Sequence, residues 1–559
     1  MYIFRLENWR FFWEEFDLAS KPRKLFCHPR LSMFHAKALF IFMIQISQKI
    51  NSMRLINCIC CAWKLINPFG NFLAAWKKVQ RSETLGRHLI ANKKKLHADE
   101  LIFQESPIVF GPQSKGGPVC IGCTRELKRD PKTCEKCGWP VCGTSCSMLQ
   151  VHQAECDICT PAAEKIKAYA NSRVSDWMYD AILPMRMLLL KNSAPEKWKM
   201  IEEMTDHIDT VESRGDDLAR HVEKLTNFLK NTIFKDSDVT EADAKHVIGA
   251  VDVNGLEVRK EDLDYLAIYP YAILMEHSCI PNTKHTFENH TLAISVRAAV
   301  PIEPGDHLTT MYTHALWGTA VRRRHLWTTK NFWCSCPRCA DSTEFGTCMS
   351  ALNCRGCGSP VLPSNPLEET SLWMCSTPGC KTPALSASRV EEITCQFGQV
   401  VNEALKADVS VTSLEACKAK YSSQFHENHF HMLTLNHTLL QAYGRDRNVA
   451  DICTTMEHAE KKLALCNKLI PLLNVIDPGA SRLAMYTAVV YFELHAALVD
   501  KYRYWQDVNK KQTLGEILEA LTRCQTILRD ELDDPSGARL MDVVSAAFAN
   551  LEQRLKGQM

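Results

Sequence analysis

The sequence predicts an α+β protein of several domains, and three observations support this fold class. At 559 residues, 46% of them hydrophobic, the chain is too long for one core, and about two to four domains are expected. Segments with strand patterns alternate with segments whose apolar residues follow helical spacing. Most of the 26 cysteines fall between residues 120 and 159 or between 279 and 380. We therefore expect small metal-bound segments between larger units.

The charge balance excludes one class of function. The chain has 66 basic and 64 acidic residues, a formal charge of +2, which argues against a surface that binds polyanions in general. We therefore expect no strong nucleic-acid binding. No segment reaches the roughly 18–20 apolar residues that span a membrane, so we expect a soluble protein without a membrane partner. Residues 1–78 show no clear periodicity, and we predict an N-terminal extension without an assigned role.

The first strand patterns begin at residue 82. Residues 82–91 (SETLGRHLIA) carry a glycine turn into alternating apolar positions, and residues 100–110 (ELIFQESPIVF) predict a pair of strands. Residues 162–233 are rich in Leu, Met, Trp, Lys and Glu at helical spacing, which predicts a helical insert. Strand and loop patterns return over residues 251–312. We therefore expect a β unit that cysteines and helices interrupt.

The C-terminal part of the chain has a helical pattern from residue 386 onward. It breaks at Gly444 and again at residues 477–479. Residues 483–499 and 514–528 place apolar side chains at i, i+3, i+4 and i+7, as helices stacked in antiparallel pairs do. We predict a helical domain of such pairs.

Two further motifs have ordinary explanations. His426 and His429 in HENHFH are three residues apart, whereas a zincin helix needs histidines at i and i+4, so we predict the start of a helix there. Arg322, Arg323 and Arg324 could contact nucleic acid. Three basic residues ahead of a cysteine cluster are more often the solvated face of a helix, and we predict such a face.

The first cysteine group has the spacing of zinc ligands. It contains C-x2-C, C-x2-C, C-x3-C and H-x3-C, and its members are Cys120, Cys123, Cys134, Cys137, Cys142, Cys146, His152 and Cys156. Zinc prefers four tetrahedral thiolate or imidazole ligands, and a tight turn supplies two at once. Eight ligands predict two closed sites, whose metal would drive the folding of a segment too small for its own core. The alternative is a set of scattered buried thiols, and Cys159 is left over as a plain thiol.

A second group, Cys334, Cys336 and Cys339, offers three thiolates and lacks a fourth for tetrahedral zinc. Cys279 is the natural candidate for the missing ligand. If it closes the site, one zinc ion ties this segment back onto the loop that carries Cys279. The alternative is a free Cys279 in a turn set by the proline and asparagine that follow it.

A third set has the four thiols of a zinc ribbon, namely Cys354, Cys357, Cys375 and Cys380. Its last pair is spaced x4, which is less common than x2, so both zinc and no zinc stay open. Cysteines spaced in this way beside a histidine belong to metal sites rather than to a disulfide framework, which indicates a reducing compartment. We therefore expect the protein in the nucleus and the cytoplasm.

Three motifs in a fixed order carry a family resemblance: EHSCIPN at 276–282, GDHLTTMY at 305–312 and CSCPRC at 334–339. They follow the first cysteine group, whose spacing resembles a MYND finger. Together they resemble the SET and MYND domain (SMYD) family of protein-lysine methyltransferases, most of all its divergent arthropod SmydA-type members. The resemblance covers about residue 82 to the end.

The resemblance implies a SET β-fold split by the finger and by a helical insert, then a zinc-bound post-SET segment and an α-helical, tetratricopeptide-like C-terminal domain. The implied boundaries are 79–119 for the N-terminal part of SET, 120–156 for the finger, 157–250 for the insert, 251–313 for the C-terminal part of SET, 314–384 for the post-SET segment and 385–559 for the helical domain. Residues 1–78 precede them as the extension.

The resemblance also implies a function, an S-adenosylmethionine-dependent protein-lysine methyltransferase that acts on histone or non-histone proteins. It assigns Tyr312 to catalysis, and Arg87, Asn254, His277 and Phe332 to cofactor binding. Ordinary explanations stay open: a strand tyrosine for Tyr312, a core residue for Phe332 and a turn at Asn254.

The resemblance further implies that the two zinc sites of the finger interleave. One would use Cys120, Cys123, Cys142 and Cys146, and the other Cys134, Cys137, His152 and Cys156. With the site that Cys279 closes, three zinc ions are implied, or four if the third cysteine set binds one. Closed coordination leaves no open position for a catalytic water, so the finger serves binding or bracing.

Three positions depart from the family pattern. Glu276 stands where an asparagine meets the cofactor, and Arg87 and His88 follow Gly86 in a loop where glycines usually let the backbone approach closely. Lys330 takes the place of a second active-site tyrosine. A lysine there would set a cation near both the sulfonium and the substrate amine unless burial lowers its pKa. We expect cofactor binding to survive these changes more readily than methyl transfer.

The second hypothesis comes from another class of function. It is a catalytically weak or inactive SET-MYND scaffold that binds protein partners as a transcriptional corepressor. By the resemblance, the finger would bind proline-rich peptides, and the helical domain would offer a concave surface for partners. Binding of S-adenosylmethionine without methyl transfer would favour the scaffold, and transfer would favour the enzyme.

Overall fold

A computed structural model describes residues 77–82, 86–92, 94–112, 118–127, 131–148, 150–170, 176–260, 263–288, 291–406, 410–444, 452–505, 509–532 and 534–556. Of the expected N-terminal extension, residues 1–76 lie outside the described residues. The described residues from 77 to 404 and from 410 to 556 belong to one compact unit. None of the helices described is long and apolar enough to cross a membrane.

The strands of the described residues form five small sheets. In chain order they are β1 Lys77–Ser82, β2 Gly86–Ala91, β3 Leu101–Glu105, β4 Val109–Pro112, β5 Leu256–Lys260, β6 Leu263–Ile268, β7 Glu276–His277, β8 Thr283–Phe287, β9 Ile294–Ala298, β10 Thr309–Thr310, β11 Leu352–Asn353, β12 Pro360–Pro363 and β13 Trp373–Cys375. The sheets are β1-β2, β3-β9-β8, β4-β6-β5, β10-β7 and β11-β12-β13. Only the β7-β10 pair is parallel among them.

The predicted strand pair at residues 100–110 is wrong in its pairing. Both strands form, but β3 pairs with β9 and β4 pairs with β6. Pro107 lies in the short connection, where it fixes φ and removes a backbone donor. The carboxylate of Glu105 accepts the backbone N–H groups of Tyr271 and Ala272, at 3.0 and 2.6 Å. These contacts lead the chain from one sheet into the next instead of reversing it.

Helices separate β4 from β5. They are α1 Thr144–Ser147, α2 Gln150–Cys159, α3 Ala163–Ala170, α4 Ile182–Ser193, α5 Pro195–Glu202, α6 Ile208–Arg214, α7 Asp217–Phe228 and α8 Glu241–Asn254, with 3-10 turns at Thr160–Ala162 and Asp176–Ala181 and a π turn at Leu229–Ile233. The helical insert predicted over 162–233 is therefore present and longer than expected. Strand structure resumes at Leu256 rather than at residue 251, because a capping box between Thr240 and Asp243 starts α8 and its buried face carries it to Asn254.

The finger, residues 120–156, shares one hydrophobic core with the helical insert. Trp139 and Cys159 are fully buried within that core. The indole N–H of Trp139 donates to the sulfur of Cys159 at 3.3 Å, and the backbone N–H of Val119 donates to the hydroxyl of Tyr179 at 3.0 Å. Cys159, the cysteine left over from the zinc spacing, is thus a packing residue between finger and insert.

Helices follow β10 and, beyond the third cysteine set, fill the rest of the described chain. They are α9 Thr319–Lys330, α10 Pro337–Ala340, α11 Ala387–Lys406, α12 Val411–Tyr421, α13 Phe430–Ala442, α14 Ile452–Ile476, α15 Ala484–Tyr504, α16 Lys510–Leu528 and α17 Pro535–Lys556. Helix α14 packs against α15, α15 against α16, and α16 against α17. The tetratricopeptide-like arrangement stays a prediction.

Both breaks predicted in this helical region lie outside the helices, Gly444 after the end of α13 and residues 477–479 between α14 and α15. Gly479 has a φ of +84°, and any side chain there would collide with the carbonyl of Ala299. The buried carboxylate of Asp477 accepts the backbone N–H groups of Arg482 and Leu483 at 3.0 and 2.7 Å. The predicted helix start in HENHFH is confirmed, because His429 is the N-cap of α13.

His437 should make the stability of the C-terminal helices depend on pH. Its ring is 3% exposed and stacks on Tyr486 at 3.6 Å, and burial lowers its pKa to about 3. The unfolded chain takes up a proton near pH 6.5 and the folded chain does not, so stability falls as pH drops below 6.5.

Between pH 7.5 and pH 5.0, His437 should cost about 2 kcal/mol of unfolding free energy. Urea unfolding at both values would measure this loss in the wild type and in His437→Gln. The variant should lose about 2 kcal/mol less than the wild type between the two pH values. The acid sensitivity of other groups is the same in both proteins and cancels in this difference. Equal losses in the two proteins would contradict the assignment.

Candidate metal centres and active site

Two turns of the finger have the same backbone geometry. In the turn from Cys120, Thr124 has a φ of +62° and its N–H donates to the carbonyl of Cys120 at 2.7 Å. In the turn from Cys134, Gly138 has a φ of +82° and its N–H donates to the carbonyl of Cys134 at 2.9 Å. Each turn aims two sulfurs at one point, as a zinc site requires.

The structure brings the eight finger ligands together in the two interleaved sets that the resemblance implied. Within each set the ligand atoms lie within 4.8 Å of one another. The sulfurs of Cys134 and Cys156 are 3.8 Å apart, and Nε2 of His152 lies 3.7 Å from the sulfur of Cys137. Four ligands at about 2.3 Å from a zinc ion are about 3.8 Å from one another. Both sets could therefore hold zinc.

A buried ion pair fixes the finger to its neighbours. Glu155 and Arg186 form two hydrogen bonds, at 2.7 and 2.9 Å, and the guanidinium also donates to the carbonyls of Phe110 and Ile121 at 2.7 and 2.9 Å. The carboxylate of Glu155 lies 3.9 Å from Nδ1 of His152. One charge pair thus joins the finger, strand β4 and helix α4, and it stands behind a predicted zinc ligand.

The second cysteine group gains the fourth ligand proposed for it. Cys279, Cys334, Cys336 and Cys339 place their sulfurs within 4.8 Å of one another. Cys279 is fully buried and lies 3.5 Å from Cys339 and 4.0 Å from Cys334. The arrangement joins the loop after β7 to the segment after α9, and it could hold one zinc ion.

The prediction that Arg322, Arg323 and Arg324 form a solvated helix face is wrong for the first two. Arg322 is fully buried on α9, and its guanidinium donates to the sulfur of Cys279 at 3.2 Å. Arg323 is buried too, and it donates to the carbonyl of Cys334 at 2.9 Å. Only Arg324 faces solvent, where it pairs with carboxylates. The charge run alone does not reveal that thiolates would supply the counter-charge.

Glu344 completes this buried network. Its carboxylate binds Arg322 at 2.8 Å and Arg338 at 3.1 Å, and it accepts the hydroxyl of Ser350 at 2.6 Å. Burial alone would raise the pKa of Glu344, but the charges of the two arginines outweigh burial and hold its pKa at about 2. The carboxylate therefore stays ionised beside the second cysteine group.

Three of the predicted site residues meet at the β7-β10 pair. The backbone N–H of Tyr312 donates to Nδ1 of His277 at 3.0 Å, and the two rings are 5.4 Å apart. The ring of Phe332 lies 6.0 Å from that of His277. The hydroxyl of Tyr312 donates to the carbonyl of Met275. Parallel pairing of Glu276 with Thr309 sets this register.

Burial keeps both polar rings of this cluster neutral. It lowers the pKa of His277 to about 4. Burial also raises the pKa of Tyr312, and the charge of Glu276 adds to that rise. At neutral pH the cluster therefore offers a neutral imidazole and a protonated hydroxyl.

The other two predicted cofactor residues meet elsewhere, at the connection between α5 and α6. Arg87 donates to the carboxylate of Glu203 at 2.7 Å and to its carbonyl at 2.9 Å. Asn254 donates to the carbonyls of Thr205 and Ala250, both at 2.9 Å. In the part of the chain that the structure describes, no hydrogen bond or ring contact joins Arg87 or Asn254 to the Tyr312 cluster.

The other two charged departures, Lys330 and Glu276, also have partners within the chain. Lys330 donates to the carbonyls of Asp252 and Val253 at 3.1 and 2.7 Å, at the C-terminal end of α8, and burial lowers its pKa. Its ammonium therefore caps a helix terminus, where a cation is favourable. Glu276 pairs with His307, whose ring stacks on that of His88 at 4.8 Å. This stacked histidine pair was missed, because only the bridge between β2 and residue 307 brings it together.

Comparisons with known proteins agree with the motifs. The SET domain-containing protein SmydA-8, isoform A, of Drosophila melanogaster is 33% identical over 310 residues, which cover 54% of this chain and 64% of the relative. Human N-lysine methyltransferase SMYD2 is 29% identical over 210 residues, 37% of this chain and 44% of the relative. The chain is thus similar to SET and MYND domain proteins of the SmydA type.

The chain spans less than two thirds of the length of these curated relatives. No protein-family model matches the sequence. A solved SET domain of LSMT, bound to lysine and AdoHcy, shares 12% identity over 83% of this chain and 99% of that chain. Its TM-score of 0.29 is too low for the two folds to be equated. The similarity to this family thus rests on the sequence relatives.

Proposed function

We propose that this SmydA-type chain is an S-adenosylmethionine-dependent protein-lysine methyltransferase acting on histone or non-histone proteins. The observation that carries the proposal is the Tyr312 cluster, where a parallel strand pair and a cysteine-bearing loop hold three rings against one another. Relatives named as N-lysine methyltransferases support it. The two ligand sets of the finger and the second cysteine group would hold structural zinc ions that brace this cluster.

The chemistry asks the protein for alignment and charge stabilisation. S-Adenosylmethionine would supply a methyl group on a sulfonium, and Arg87, Asn254, His277 and Phe332 are the residues proposed to hold it. The target amine must be neutral, because its nitrogen lone pair forms the new bond to carbon. The Tyr312 hydroxyl, kept protonated and fixed on the Met275 carbonyl, would narrow the approach to one line.

Tyr312→Phe should lower methyl transfer by about 100- to 1,000-fold, as removal of one positioned polar group commonly does. The affinity for S-adenosylmethionine should stay the same, because the ring and its contact with His277 remain. Calorimetric titration with S-adenosylmethionine, paired with transfer of labelled methyl groups to a histone and peptide array, would measure both quantities. Tyr504→Phe, at an exposed position on α15, is the matched control.

Transfer by Tyr312→Phe at the wild-type rate would remove Tyr312 from catalysis. Cofactor binding by the wild type with no transfer to any peptide would instead favour the second candidate, a scaffold that binds proline-rich peptides through the finger. That candidate gains support from Glu276, Arg87 and Lys330, whose charged groups all have partners within the chain. The corepressor role and the nuclear and cytoplasmic location belong to the same proposal.

A further inference from the structure

The third cysteine set gathers around one point in the small β11-β12-β13 sheet. The four sulfurs of Cys354, Cys357, Cys375 and Cys380 lie within 4.8 Å of one another. Cys354 and Cys380 are 3.7 Å apart, and Cys357 and Cys375 are 3.4 Å apart. A disulfide would bring two sulfurs to about 2.0 Å, whereas sulfurs that share a zinc ion are about 3.8 Å apart. The spacing therefore fits an ion better than two disulfides.

The backbone around the first pair repeats the turn of the finger. Gly358 has a φ of +76°, and its N–H donates to the carbonyl of Cys354 at 2.8 Å. The N–H of Cys354 in turn donates to the carbonyl of Ser359 at 2.8 Å. The turn that begins at Cys134 is closed by the same two hydrogen bonds, at 2.9 and 2.8 Å, with Gly138 at the positive φ. The two cysteine pairs are thus presented alike.

The cysteine ribbon, residues 352–380, has little else to hold it together. Its large buried side chains are Leu352, Val361 and Trp373, while Leu372 and Met374 are about half exposed. A sheet of three short strands with so small a core is marginal in water. Metal binding would supply the missing folding free energy. Thr382 supports the sulfur cluster, with its hydroxyl 3.2 and 3.4 Å from the two sulfurs nearest to it.

Both edges of the ribbon are hydrogen-bonded to segments that adjoin the C-terminal helices. On one edge, the backbone N–H of Asn353 donates to the carbonyl of Gln424 at 2.8 Å, and its side chain donates to the carbonyl of Phe425 at 2.8 Å. On the other edge, Trp373 and Leu385 exchange two backbone hydrogen bonds, at 2.8 and 2.9 Å, just before α11 begins. Phe425 is fully buried and stacks on Phe397 of α11 at 4.3 Å.

We propose that Cys354, Cys357, Cys375 and Cys380 bind a fourth zinc ion, and that this ion holds the C-terminal helices onto the cysteine-rich segment. The ion fixes the ribbon, and the ribbon fixes the turn between α12 and α13 and the start of α11. The site is closed by four protein ligands and so has no catalytic role. This inference does not depend on the proposed methyltransferase activity.

Zinc content of the full chain tests the metal assignment. Elemental analysis should find four zinc ions per wild-type chain, one for each set of four ligands. It should find three in the Cys357→Ser/Cys375→Ser variant. Cys395→Ser, at an exposed cysteine outside the groups, should keep four. Three ions in the wild type, or four in the double variant, would overturn the assignment. So would two disulfides detected in the ribbon by alkylation and mass spectrometry.

Hydrogen exchange tests the docking role. In the double variant, peptides covering residues 351–353 and 424–430 should exchange at least about tenfold faster than in the wild type. Peptides of the finger should exchange as before. Loss of one zinc ion with unchanged exchange at these residues would overturn the docking role.

A conservative replacement guards against simple misfolding. Cys357→His exchanges one exposed thiol for an imidazole, which zinc also accepts, so it should keep four ions and wild-type exchange. In the cobalt-substituted protein, Cys357→His should weaken the sulfur-to-metal charge-transfer absorption by the amount that one thiolate ligand contributes. A spectrum identical to that of wild type would overturn ligation by Cys357.

Discussion

Glu344→Gln is expected to lower the free energy of unfolding by about 3–5 kcal/mol, the usual cost of removing one partner from a buried charge network. The side chain of Glu344 is 1% exposed and lies between Arg322 and Arg338, both of them fully buried. The neutral amide would leave two guanidiniums side by side without their shared counter-charge. Arg322 also donates to the sulfurs of Cys279 and Cys339. Loss of the Glu344 charge should therefore loosen the second cysteine group as well.

The pKa of Glu344 gives a second estimate of the same size. Its folded pKa of about 2 lies below the ordinary value of 4.5, which corresponds to about 3 kcal/mol of stability. Because the folded pKa is lowered, this contribution is present above pH 4.5 and is lost as pH falls towards 2.

Urea unfolding at pH 7.5 would measure the change. Glu369→Gln is the matched control, because Glu369 is half exposed and its carboxylate lies 3.9 Å from the guanidinium of Arg324. Arg324 is on the same helix as Arg322. An exposed pair of this kind contributes about 0–1 kcal/mol. A loss of less than about 1 kcal/mol in Glu344→Gln, no larger than in the control, would show that the arginines find other partners.

The zinc sets could be predicted from sequence because their geometry is local. A C-x2-C turn forces two sulfurs together whatever surrounds it, and the turns at Cys120 and Cys134 have that form in the structure. The partnership of Cys279 with the later cysteines is long-range, and it required the inference that a site with three thiolates needs a fourth. The order of the segments came from the family motifs and stays a prediction.

What the sequence did not reveal depends on contacts between distant segments. Strands β3 and β4 are adjacent in the chain, yet each pairs with a strand more than a hundred residues later. The burial of Arg322 depends on Glu344 and on the thiols it faces, and nothing in the run of three arginines indicates them. The capping of α8 by Lys330 likewise requires α9 to end beside that helix terminus. Local patterns cannot predict such pairings.

Arg186→Met is expected to cost about 3–5 kcal/mol as well, because it leaves the fully buried Glu155 without its partner. Burial raises the pKa of Glu155 and the charge of Arg186 opposes that rise, so without the arginine the carboxyl would take up a proton. The carbonyls of Phe110 and Ile121 would lose a donor in the same step. Lys136→Met is the control, since Lys136 and Asp157 are also 2.7 Å apart but largely exposed, and it should cost far less than Arg186→Met.

The double variant Glu155→Leu/Arg186→Met separates two explanations for the Arg186 effect. If an orphaned charge causes the loss, replacing both partners by apolar side chains should recover about 2 kcal/mol or more. If the arginine acts mainly by holding carbonyls of β4 and the finger, the double variant should be no more stable than Arg186→Met. Unfolding free energies of the four proteins in this cycle would decide between the two. Recovery would mean that the ion pair determines how the finger docks and adds little to the stability of the protein. Zinc release from the set that contains His152 should then stay faster in the double variant than in wild type, because Glu155 no longer faces Nδ1 of His152.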